Sequence, residues 1–357
     1  MNIQNVLTSP AQPWFQGSHP DSDVVLSSRV RLARNIANIQ FPNMANESEL
    51  MAVEMAANEA KQSLSEEYQE EMTYVKMSDL DRVDREILLE KHLVSPQLIS
   101  VPAHRGIVIN EAADITFMVN EEDHFRLQML AGGLQLESLW EKANRADDAL
   151  ESKINFAFAD KWGYLTACPT NVGTGMRASV MVHVPALVRT KKIKRIIQGI
   201  LKFSYSVRGI YGEGSEMLGD ILQISNQVTL GIREAEIVEN LTNLTHQLVK
   251  EEMAAWEELR RTQAVELRDE IWRAYGILRY ARKLSGHEAL TLLSTVELGR
   301  ILGWLPHIPE NLFREMMVTT RPGFLSRYAN TATLNETDRD RWRAAVVRET
   351  LDNKVKE

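Results

Sequence analysis

CPTNVGTGMRAS, residues 168–179, is the stretch of this sequence that decides the fold. Its proline and glycines predict a turn-rich loop, and the β-branched run Val180–Val184 that follows predicts a strand. Upstream, Ile107–Ile109 and Ile115–Val119 have the same strand-like character, and Ile154–Phe158 alternates large and small residues. Strands this close together leave little room for the long helical crossovers of a parallel sheet. We therefore expect an α+β domain built on an antiparallel sheet.

The sequence after Glu234 predicts an all-helical second domain. Apolar residues recur there at helical spacing, one helix is predicted to begin after Ser285, and Gly and Pro are scarce before Gly303. Within the first domain, Leu187–Lys202 predicts an amphipathic helix whose polar face accounts for a cluster of basic residues. We place the boundary so that the domains span residues 1–240 and 241–357.

The composition excludes several classes of protein. Of 357 residues, 44% are hydrophobic and 25% are charged, which provides a sizeable core and argues against disorder. The formal net charge of −8 argues against a protein that mainly wraps nucleic acid. A single cysteine, Cys168, cannot form an internal disulfide, and we recognise neither a signal peptide nor a run of about 20 apolar residues. We therefore expect a soluble, cytoplasmic protein without nucleic-acid or membrane partners.

Arginines stand in four separate polar segments of the first domain. These segments are SSRVR at 27–31, NEEDHFR at 120–126, the 168–179 loop and RGIYGE at 208–213. Arginines that converge on one point would neutralise a polyphosphate, because the guanidinium fork matches phosphate oxygens bidentately. A GxxxxGK[ST] loop is missing from the sequence, so a Walker-type phosphate nest is not the route. Taken singly, each arginine is more often a solvated surface residue.

Two carboxylates and the single cysteine are further candidates. Glu122 or Glu213 could orient a substrate nitrogen and accept its proton, although the first stands in an acidic run and the second between glycines. Cys168 is either a small buried hydrophobe or a thiol activated by nearby arginines. His92 and His124 have no metal-ligand spacing, so we assign no metal-binding residues.

Together, the four segments resemble the catalytic domain of the phosphagen kinases, the family of creatine and arginine kinases, over most of residues 20–235. The pattern CPTN-x-GT-G-x-RAS is the most specific part. The resemblance implies a glutamine-synthetase-like antiparallel sheet with helices, ATP as the phosphoryl donor, Mg²⁺, and a guanidino group held by Glu122 and Glu213 near Cys168. It also implies that the nucleotide contacts are Ser27, Ser28, Arg29, Val30, Arg31, His92, Arg126, Arg177, Ala178, Ser179, Val180, Met181, Arg208, Gly209, Ile210, Tyr211, Gly212 and Glu213.

The order of the domains refines the resemblance. Phosphagen kinases carry a helical domain before the catalytic part, whereas here SSRVR begins within the first 30 residues and the helices follow. This layout resembles the bacterial protein arginine kinases, which phosphorylate arginine side chains of proteins. The segment 214–216 also departs from the creatine and arginine kinases, and an open front edge suits an arginine presented on a polypeptide.

The helical domain contains a second candidate site. Thr337 is predicted to cap a helix on which Arg339 and Arg343 stand one turn apart, and spacing alone favours an exposed charged helix end. However, RDRWRA at 339–344 resembles the RDxxRA motif of the arginine kinases, an allosteric phosphoarginine pocket. The match assigns Arg339, Asp340, Arg343 and Ala344 to it, and we expect Asp340 to pair with the ligand's guanidinium while the arginines grip the phosphate.

The resemblance therefore implies a protein arginine kinase that moves the γ-phosphoryl group of ATP onto protein arginines, marking proteins for degradation or inactivating stress repressors. It further implies a homodimer or higher oligomer, a zinc-containing activator protein and Clp protease components as partners. Two alternatives stay open at this point: a kinase of a free guanidino compound, and an adaptor that binds phosphoarginine proteins. ATP-dependent labelling of free arginine and of an unfolded protein would separate the first alternative from a protein kinase.

Overall fold

A computed structural model describes residues 3–9, 12, 16, 18–209 and 217–354. Its first part is an α+β domain in which helices surround an eight-stranded sheet. The helices of this part are α1 (Ile3–Thr8), α2 (Glu47–Tyr68), α3 (Arg82–Glu90), α4 (Pro96–Ser100), α5 (Leu136–Glu151), α6 (Pro185–Arg189) and α7 (Ile193–Lys202). The strands are β1 (Val25–Arg34), β2 (Thr73–Lys76), β3 (Gly106–Ile109), β4 (Ile115–Val119), β5 (Phe125–Gly132), β6 (Phe158–Ala159), β7 (Gly163–Tyr164), β8 (Met176–His183), β9 (Tyr205–Gly209) and β10 (Ile221–Asn226).

The large sheet has the order β2-β3-β4-β5-β1-β8-β10-β9, and each neighbouring pair among these described strands is antiparallel. Strands β6 and β7 form a separate hairpin. The longest strand, β1, lies at the centre between β5 and β8, where Arg31 pairs with Gln128 on one side and Arg177 on the other. The expected antiparallel α+β architecture is therefore confirmed.

One face of the sheet carries the main core. Leu32 of β1 and Val180 of β8 point into it and pack with Ala57 of α2 and Leu139 of α5, all at most 4% exposed. Burying one such leucine contributes about 1.5–3 kcal/mol, so this face fixes the strand register. A second, smaller core lies around β3, β4, α1, α3 and α4.

The second part of the chain is helical. Its first helix begins at Glu234 and runs without a break past residue 240, where the sequence places the domain boundary. Helix α10 starts at the predicted point, because the Ser285 side chain accepts a hydrogen bond from the Glu288 N–H. The helices of this part are α8 (Glu234–Thr262), α9 (Ala264–Tyr280), α10 (Gly286–Ile301), α11 (Leu312–Thr319), α12 (Pro322–Tyr328) and α13 (Glu336–Lys354).

Polar side chains join the two parts. At the end of β8, His183 Nε2 lies 2.8 Å from Ser294 Oγ of α10, and this hydroxyl donates to Asp220 Oδ2 at 2.6 Å. Elsewhere, the Glu90 carboxylate of α3 accepts from two backbone N–H groups at the start of α12, those of Gly323 and Phe324. Burial raises the pKa of Glu90 to about 7.

Several predicted elements differ from the structure. The single helix predicted over Leu187–Lys202 is two helices, α6 and α7, because Lys191 adopts a left-handed conformation with φ 59°. Arg189 does not lie on a solvated polar face, since it bonds to Glu270 at 2.7 Å and to Thr295 at 3.0 Å. In Ile154–Phe158 the large residues at 154 and 156 are buried and Phe156 forms an isolated bridge with Ile36, whereas Phe158 begins the short strand β6 with its side chain exposed.

Among the residues that the structure describes, no helix is both long and apolar enough to cross a lipid bilayer.

Candidate active site

Five arginines lie on the sheet face opposite the main core. Residues two apart on a strand share a face, so Arg29 and Arg31 of β1 point the same way. Arg31 pairs with Arg177 of β8, while Arg126 stands on β5 and Arg208 on β9. The described residues of the four segments are therefore distant in the chain but adjacent on the sheet.

Four of these side chains, all but that of Arg29, border an open cleft of about 530 Å³. The glycine-rich loop and Cys168 form one wall, and the turn before β5 and the start of α4 form the other. The residues that line the cleft are Arg31, Ala33, Ser95, Pro96, Gln97, Glu121, Glu122, Arg126, Cys168, Thr170, Asn171, Gly175, Arg177, Arg208 and Gln223.

Among the described residues, four arginines and two glutamates line the cleft, so their summed charge is positive. Burial, and then the charges of Arg126 and Arg177, lowers the pKa of Arg29 to about 10. Burial and three neighbouring guanidinium groups likewise lower the pKa of Arg31 well below its ordinary value. Within the described residues, the buried Nε of Arg31 has no hydrogen-bond partner. A polyanion bound here would supply the missing acceptors and relieve the repulsion.

Hydroxyl groups support two of these arginines. Arg29 Nε donates to Ser179 Oγ at 3.3 Å, and Arg177 Nε donates to Ser225 Oγ at 3.2 Å. Arg177 Nη2 also donates to Ser206 Oγ at 3.1 Å. A hydroxyl orients a guanidinium group without neutralising it, so the charge stays available to a ligand.

Two neighbouring carboxylates bind the same arginine. Arg126 Nη1 lies 2.9 Å from Glu121 Oε2, and Arg126 Nη2 lies 3.1 Å from Glu122 Oε2. Glu121 is 3% exposed and also accepts from the Ser95 hydroxyl and from the Glu122 N–H at 3.0 Å. The Glu122 side chain is 34% exposed and borders the cleft, so it can meet an incoming cation.

Buried polar groups hold the two walls of the cleft together. The Asp123 carboxylate accepts from Asn35 Nδ2 and from the Ala167 N–H, each at 2.7 Å. These bonds tie the turn that carries Glu122 to the segment that precedes Cys168. The Cys168 Sγ lies 3.0 Å from Thr170 Oγ1 at the edge of the cleft.

Glycine is required at one point of the loop. Gly175 has φ 64°, and a Cβ built on it would lie 2.6 Å from both Ala33 O and Arg34 Nη1. The strand β1 can therefore approach the loop closely only because this position lacks a side chain.

Matches to two protein-family models identify the family of this chain. Residues 52–255 match the ATP:guanido phosphotransferase C-terminal catalytic domain, and residues 264–357 match the protein-arginine kinase McsB C-terminal domain. The chain belongs to the protein-arginine kinase family. Relatives with that name include proteins of Desulforamulus reducens and Halothermothrix orenii, each 44% identical. The match covers 99% of this chain with both relatives, 99% of the first relative and 100% of the second.

Solved structures of related kinases share the fold. A duplicated taurocyamine kinase from Schistosoma mansoni, with bound transition-state-analogue components, matches at 27% identity and a TM-score of 0.60. That match covers 70% of this chain and 36% of the taurocyamine kinase. Lombricine kinase matches at 26% identity and a TM-score of 0.57, over 70% of each chain.

Not every residue that the family resemblance suggested points into the cleft. Val30, Ala178 and Val180 face the main core, because they alternate with the arginines along their strands. The Ser28 hydroxyl donates to Gly133 O at 2.7 Å and also lies away from the cleft. Gly209 ends β9. The remaining suggested residues, Ile210, Tyr211, Gly212 and Glu213, lie outside the described residues.

A small pocket next to the cleft collects most of the other suggested residues. Ser27, Arg29, Ser179 and Met181 line it together with His92. Burial, and then the charge of Arg29, lowers the pKa of His92 to about 3, so the imidazole is neutral at pH 7. His124, by contrast, is buried, with Nδ1 accepting from the Ile36 N–H and Nε2 donating to Gln40 O.

Sequence reasoning missed several residues that line the cleft of this chain. Glu121 stands beside Glu122 in the same acidic run, so the signal existed, but nothing in the sequence shows that it is the buried one. Ser95, Gln97 and Gln223 line the cleft from segments without a recognisable motif. Their contribution depends on long-range packing that a local pattern does not report.

A second pocket of about 270 Å³ lies in the helical part of the chain. Arg321, Arg339, Asp340 and Arg343 line it beside Gly286 at the start of α10. Arg339 and Arg343 do share one face of α13. The Asp340 carboxylate is already paired, because Arg343 Nη1 lies 2.7 Å from Asp340 Oδ1.

Details of the predicted motif differ from the structure. Thr337 does not cap α13: Asn335 does, since its side-chain oxygen accepts from the Asp338 N–H at 2.9 Å. Ala344 is 0% exposed and packs in the core, so it does not line the second pocket. Asp340 Oδ1 already accepts from Arg343 Nη1 at 2.7 Å, and the expected pairing of Asp340 with a ligand's guanidinium stays a prediction.

Proposed function

We propose that the chain transfers the γ-phosphoryl group of ATP to arginine side chains of proteins, as the family of its full-length relatives implies. The observation that carries this proposal is the gathering of four arginines, Glu122 and Cys168 around one cleft, with Arg29 in the adjoining small pocket. Arg29, Arg31 and Arg177 would bind the phosphates, and His92 would lie beside the nucleotide. Such an array can spread the charge of a transferring phosphoryl group without covalent work by the protein.

The acceptor poses the chemical difficulty. Free arginine has a pKa of about 12.5–13.8, so its guanidinium group must lose a proton before a nitrogen can attack phosphorus. We assign binding of this group to Glu122, whose exposed carboxylate borders the phosphate-binding arginines. As the N–P bond forms, the bond between the γ-phosphorus and the bridging oxygen breaks, ADP leaves and the proton passes to the carboxylate.

Two further assignments rest on the family resemblance. Glu213, outside the described residues, would be the second carboxylate that holds the guanidinium group. Cys168 would orient the same group, which its place at the edge of the cleft supports. Alkylation of Cys168 should therefore slow phosphorylation, and an unchanged rate would reject this role.

Mg²⁺ would enter with the nucleotide. No group of three or more His, Cys, Asp or Glu side chains that could hold a metal ion occurs among the described residues, whereas two carboxylates, Glu121 and Glu122, border the cleft. Because Glu122 is assigned to the guanidinium group, Glu121 is the cleft carboxylate that would meet Mg²⁺, which commonly binds one or two protein carboxylates together with substrate phosphates. The bound ion would neutralise charge on the phosphate oxygens.

The role of Glu122 can be tested with one matched pair of variants. Glu122→Gln keeps the shape but cannot accept the proton, so kcat should fall roughly 100-fold or more. Glu111→Gln changes an exposed glutamate in the β3–β4 turn and should leave kcat unchanged. Radiolabel transfer from ATP to an unfolded protein measures both, and near-full activity of Glu122→Gln would reject the assignment.

Labelling of free arginine distinguishes a protein kinase from a kinase of a free guanidino compound. The cleft is open, so we expect an arginine within a polypeptide to be labelled far faster than the free amino acid. The reverse preference would support the alternative, which the lombricine and taurocyamine kinases make chemically reasonable.

We further propose that the second pocket binds phosphoarginine and regulates the kinase. Three arginines and the first N–H groups of α10 surround a space large enough for a phosphorylated side chain. An adaptor role could use the same pocket alongside catalysis. The division at residues 1–240 and 241–357, a dimer, the activator, the Clp components and the link to stress responses remain predictions from the resemblance.

A further inference from the structure

His92 lies at a helix end where glycine is the usual residue. It follows the last turn of α3 and has a left-handed backbone conformation with φ 59°. Its N–H donates to Leu89 O at 2.9 Å, and the next N–H, that of Leu93, donates to Leu88 O at 3.0 Å. This pair of bonds is the Schellman motif, whose left-handed position favours glycine because a Cβ strains it. Here the strained position carries an imidazole that lines the small pocket beside the cleft.

The residue before it, Lys91, is a fully buried cation. Its Nζ donates to Val6 O and, at 2.6 Å, to Ser9 O at the end of α1. Among the described residues, no carboxylate forms an ion pair with this ammonium group, and burial lowers the pKa of Lys91 to about 8. Carbonyl groups at a helix end lack partners within the helix and therefore suit a cation. An apolar side chain would fill the same space without the desolvation of a charge, so packing alone does not explain the lysine.

Apolar contacts hold α1 in the place from which it meets this lysine. Val6 and Leu7 are at most 2% exposed and pack with Ile87 and Leu88 of α3 in the smaller core. The end of α1 is thereby fixed against α3, and its carbonyl groups meet the Lys91 side chain at the end of that helix. The first helix of the chain thus reaches the turn that carries the imidazole.

The sheet holds the same turn from the other side. Gln128 of β5 is 2% exposed and donates from Nε2 to His92 O at 3.0 Å and to Thr116 Oγ1 at 3.1 Å. In the strand ladder Gln128 pairs with Arg31, which borders the cleft. A strained conformation persists only where its surroundings determine it, and here Lys91 and Gln128 provide two such constraints.

We propose that Lys91 is a positioning residue for ATP, which ties the end of α1 to the turn of His92 and so holds the imidazole in the geometry that binds the nucleotide. This inference rests on the proposed function and adds α1 and Gln128 to the parts of the chain that shape the nucleotide site. Arg29 and Ser179 line the small pocket from the sheet, so a shift of the turn would move the imidazole relative to both. The transfer step itself depends on the arginines of the cleft and on the assigned carboxylate.

The test measures the affinity of the full chain for a non-hydrolysable ATP analogue by calorimetric titration at pH 7. Lys91→Met keeps the apolar stem and removes the donors to α1, so Kd should rise about fivefold to tenfold, the size of one or two lost hydrogen bonds. The KM for ATP should rise by the same factor while kcat stays within about twofold, because only uniform binding is lost. Lys250→Met, at an exposed lysine of α8, is the matched control and should change none of these values.

A second background distinguishes positioning from a general structural role. His92→Gly removes the imidazole and suits the left-handed conformation, so its weaker binding of the analogue reports the imidazole itself. Lys91→Met added to His92→Gly should cause no further loss of affinity, because the group that it positions is gone. A loss by the same factor in both backgrounds, or an unchanged affinity of Lys91→Met alone, would overturn the proposal.

Gln128→Met repeats the test from the side of the sheet. It should weaken analogue binding in the wild-type background and have no effect in the His92→Gly background, which keeps the proposal testable if Lys91→Met does not fold. Thermal unfolding of each variant shows whether it is folded. If Gln128→Met binds the analogue as tightly as wild type, the constraint on His92 is rejected.

The positioning role and the proposed function fail in different ways. If wild-type enzyme does not bind the ATP analogue, or binds it and labels neither an unfolded protein nor free arginine, the proposed kinase function fails. If wild-type enzyme is active and Lys91→Met binds the analogue equally well, phosphorylation stands and only the role of Lys91 is rejected.

Discussion

The catalytic cleft and the second pocket both present arginines to an anion, but they balance charge in opposite ways. In the cleft and the adjoining small pocket, burial first and then the charges of neighbouring arginines lower the pKa values of Arg31 and Arg29. In the second pocket, Arg343 is 6% exposed and already holds Asp340, Leu284 O and Thr320 O. Among the described residues, the cleft therefore concentrates positive charge that a bound polyanion would balance, whereas in the second pocket Asp340 already pairs with Arg343.

The largest predicted effect is the loss of activity when Arg31 is removed. Arg31→Ala deletes a cation aimed at the transferring phosphate, so kcat should fall roughly 100- to 1000-fold, as for the loss of one oxyanion-stabilising donor. The free energy of unfolding should stay the same or rise, because repulsion among the arginines is relieved. Steady-state kinetics and chemical denaturation measure the two quantities.

Arg145→Ala is the control for this prediction, since the Arg145 side chain is 61% exposed and pairs with Glu67. It should change neither kcat nor stability appreciably. A variant at Arg31 that lost stability and activity together would show that this arginine is a structural residue.

Removing Arg343 should have the opposite outcome. Arg343→Ala removes the close, buried partner of Asp340 and leaves the carboxylate with the half-exposed Lys283 at 3.8 Å, which costs about 3–5 kcal/mol of unfolding free energy. Arg341→Ala, at a position on the same helix whose side chain is 71% exposed, should cost less than about 0.5 kcal/mol. Denaturant titration of both variants checks the difference, and equal stabilities would mean that the ion pair is not formed.

Arg339 separates ligand binding from stability within the second pocket. Arg339 lines the pocket, and among the described residues it forms no ion pair like the one between Arg343 and Asp340. Arg339→Ala should weaken phosphoarginine binding about tenfold, the size of one charge-assisted hydrogen bond. Labelling of a substrate that carries no phosphoarginine should stay within about twofold. Calorimetric titration with phosphoarginine measures the affinity, and an unchanged value would remove Arg339 from the site.

The smallest expected effect on stability concerns the junction between the α+β part and the helical part of the chain, where His183 contacts Ser294. Burial, and then Arg189 and Arg300, lowers the pKa of His183 to about 3, whereas an unfolded histidine has a pKa of about 6.5. Between these values only the unfolded state binds the proton, so stability falls as the pH falls below 6.5, by up to about 1.4 kcal/mol per unit.

His183→Gln should remove this component of the pH dependence. Glu90 acts in the other direction, because its raised pKa favours the folded state as the pH falls from 7 towards 4.5. The comparison therefore uses the difference between wild type and His183→Gln at each pH from 7 to 5. A difference that does not grow on acidification would show that His183 is protonated in the folded protein.

The sequence predicts the arginine segments of the cleft but not how they meet. The strands over residues 107–109 and 115–119 follow from β-branched runs, and local composition predicts them well. The convergence of Arg31, Arg126 and Arg177 depends on the pairing of β1 with β5 and β8, which joins residues about 100–150 positions apart. Local patterns do not contain this long-range register.

In the second pocket, too, the sequence pattern predicts the positions of the residues but not their contacts, although these residues are close together in the chain. The helical spacing of Arg339 and Arg343 correctly predicts a shared face. It does not report that Asp340 binds Arg343 three residues away, because a neighbour on the same helix and a bound ligand compete for that carboxylate. The break at Lys191 was equally hidden, since a left-handed lysine has no signature in the apolar periodicity.

A crystal structure with a non-hydrolysable ATP analogue, Mg²⁺ and an arginine peptide tests the central claim most directly. The account predicts that Arg31 and Arg177 contact phosphate oxygens within about 3.2 Å and that the peptide guanidinium group meets Glu122 beside the terminal phosphate. A nucleotide bound away from these arginines, or a Glu122 carboxylate that faces bulk solvent far from the terminal phosphate, would contradict it.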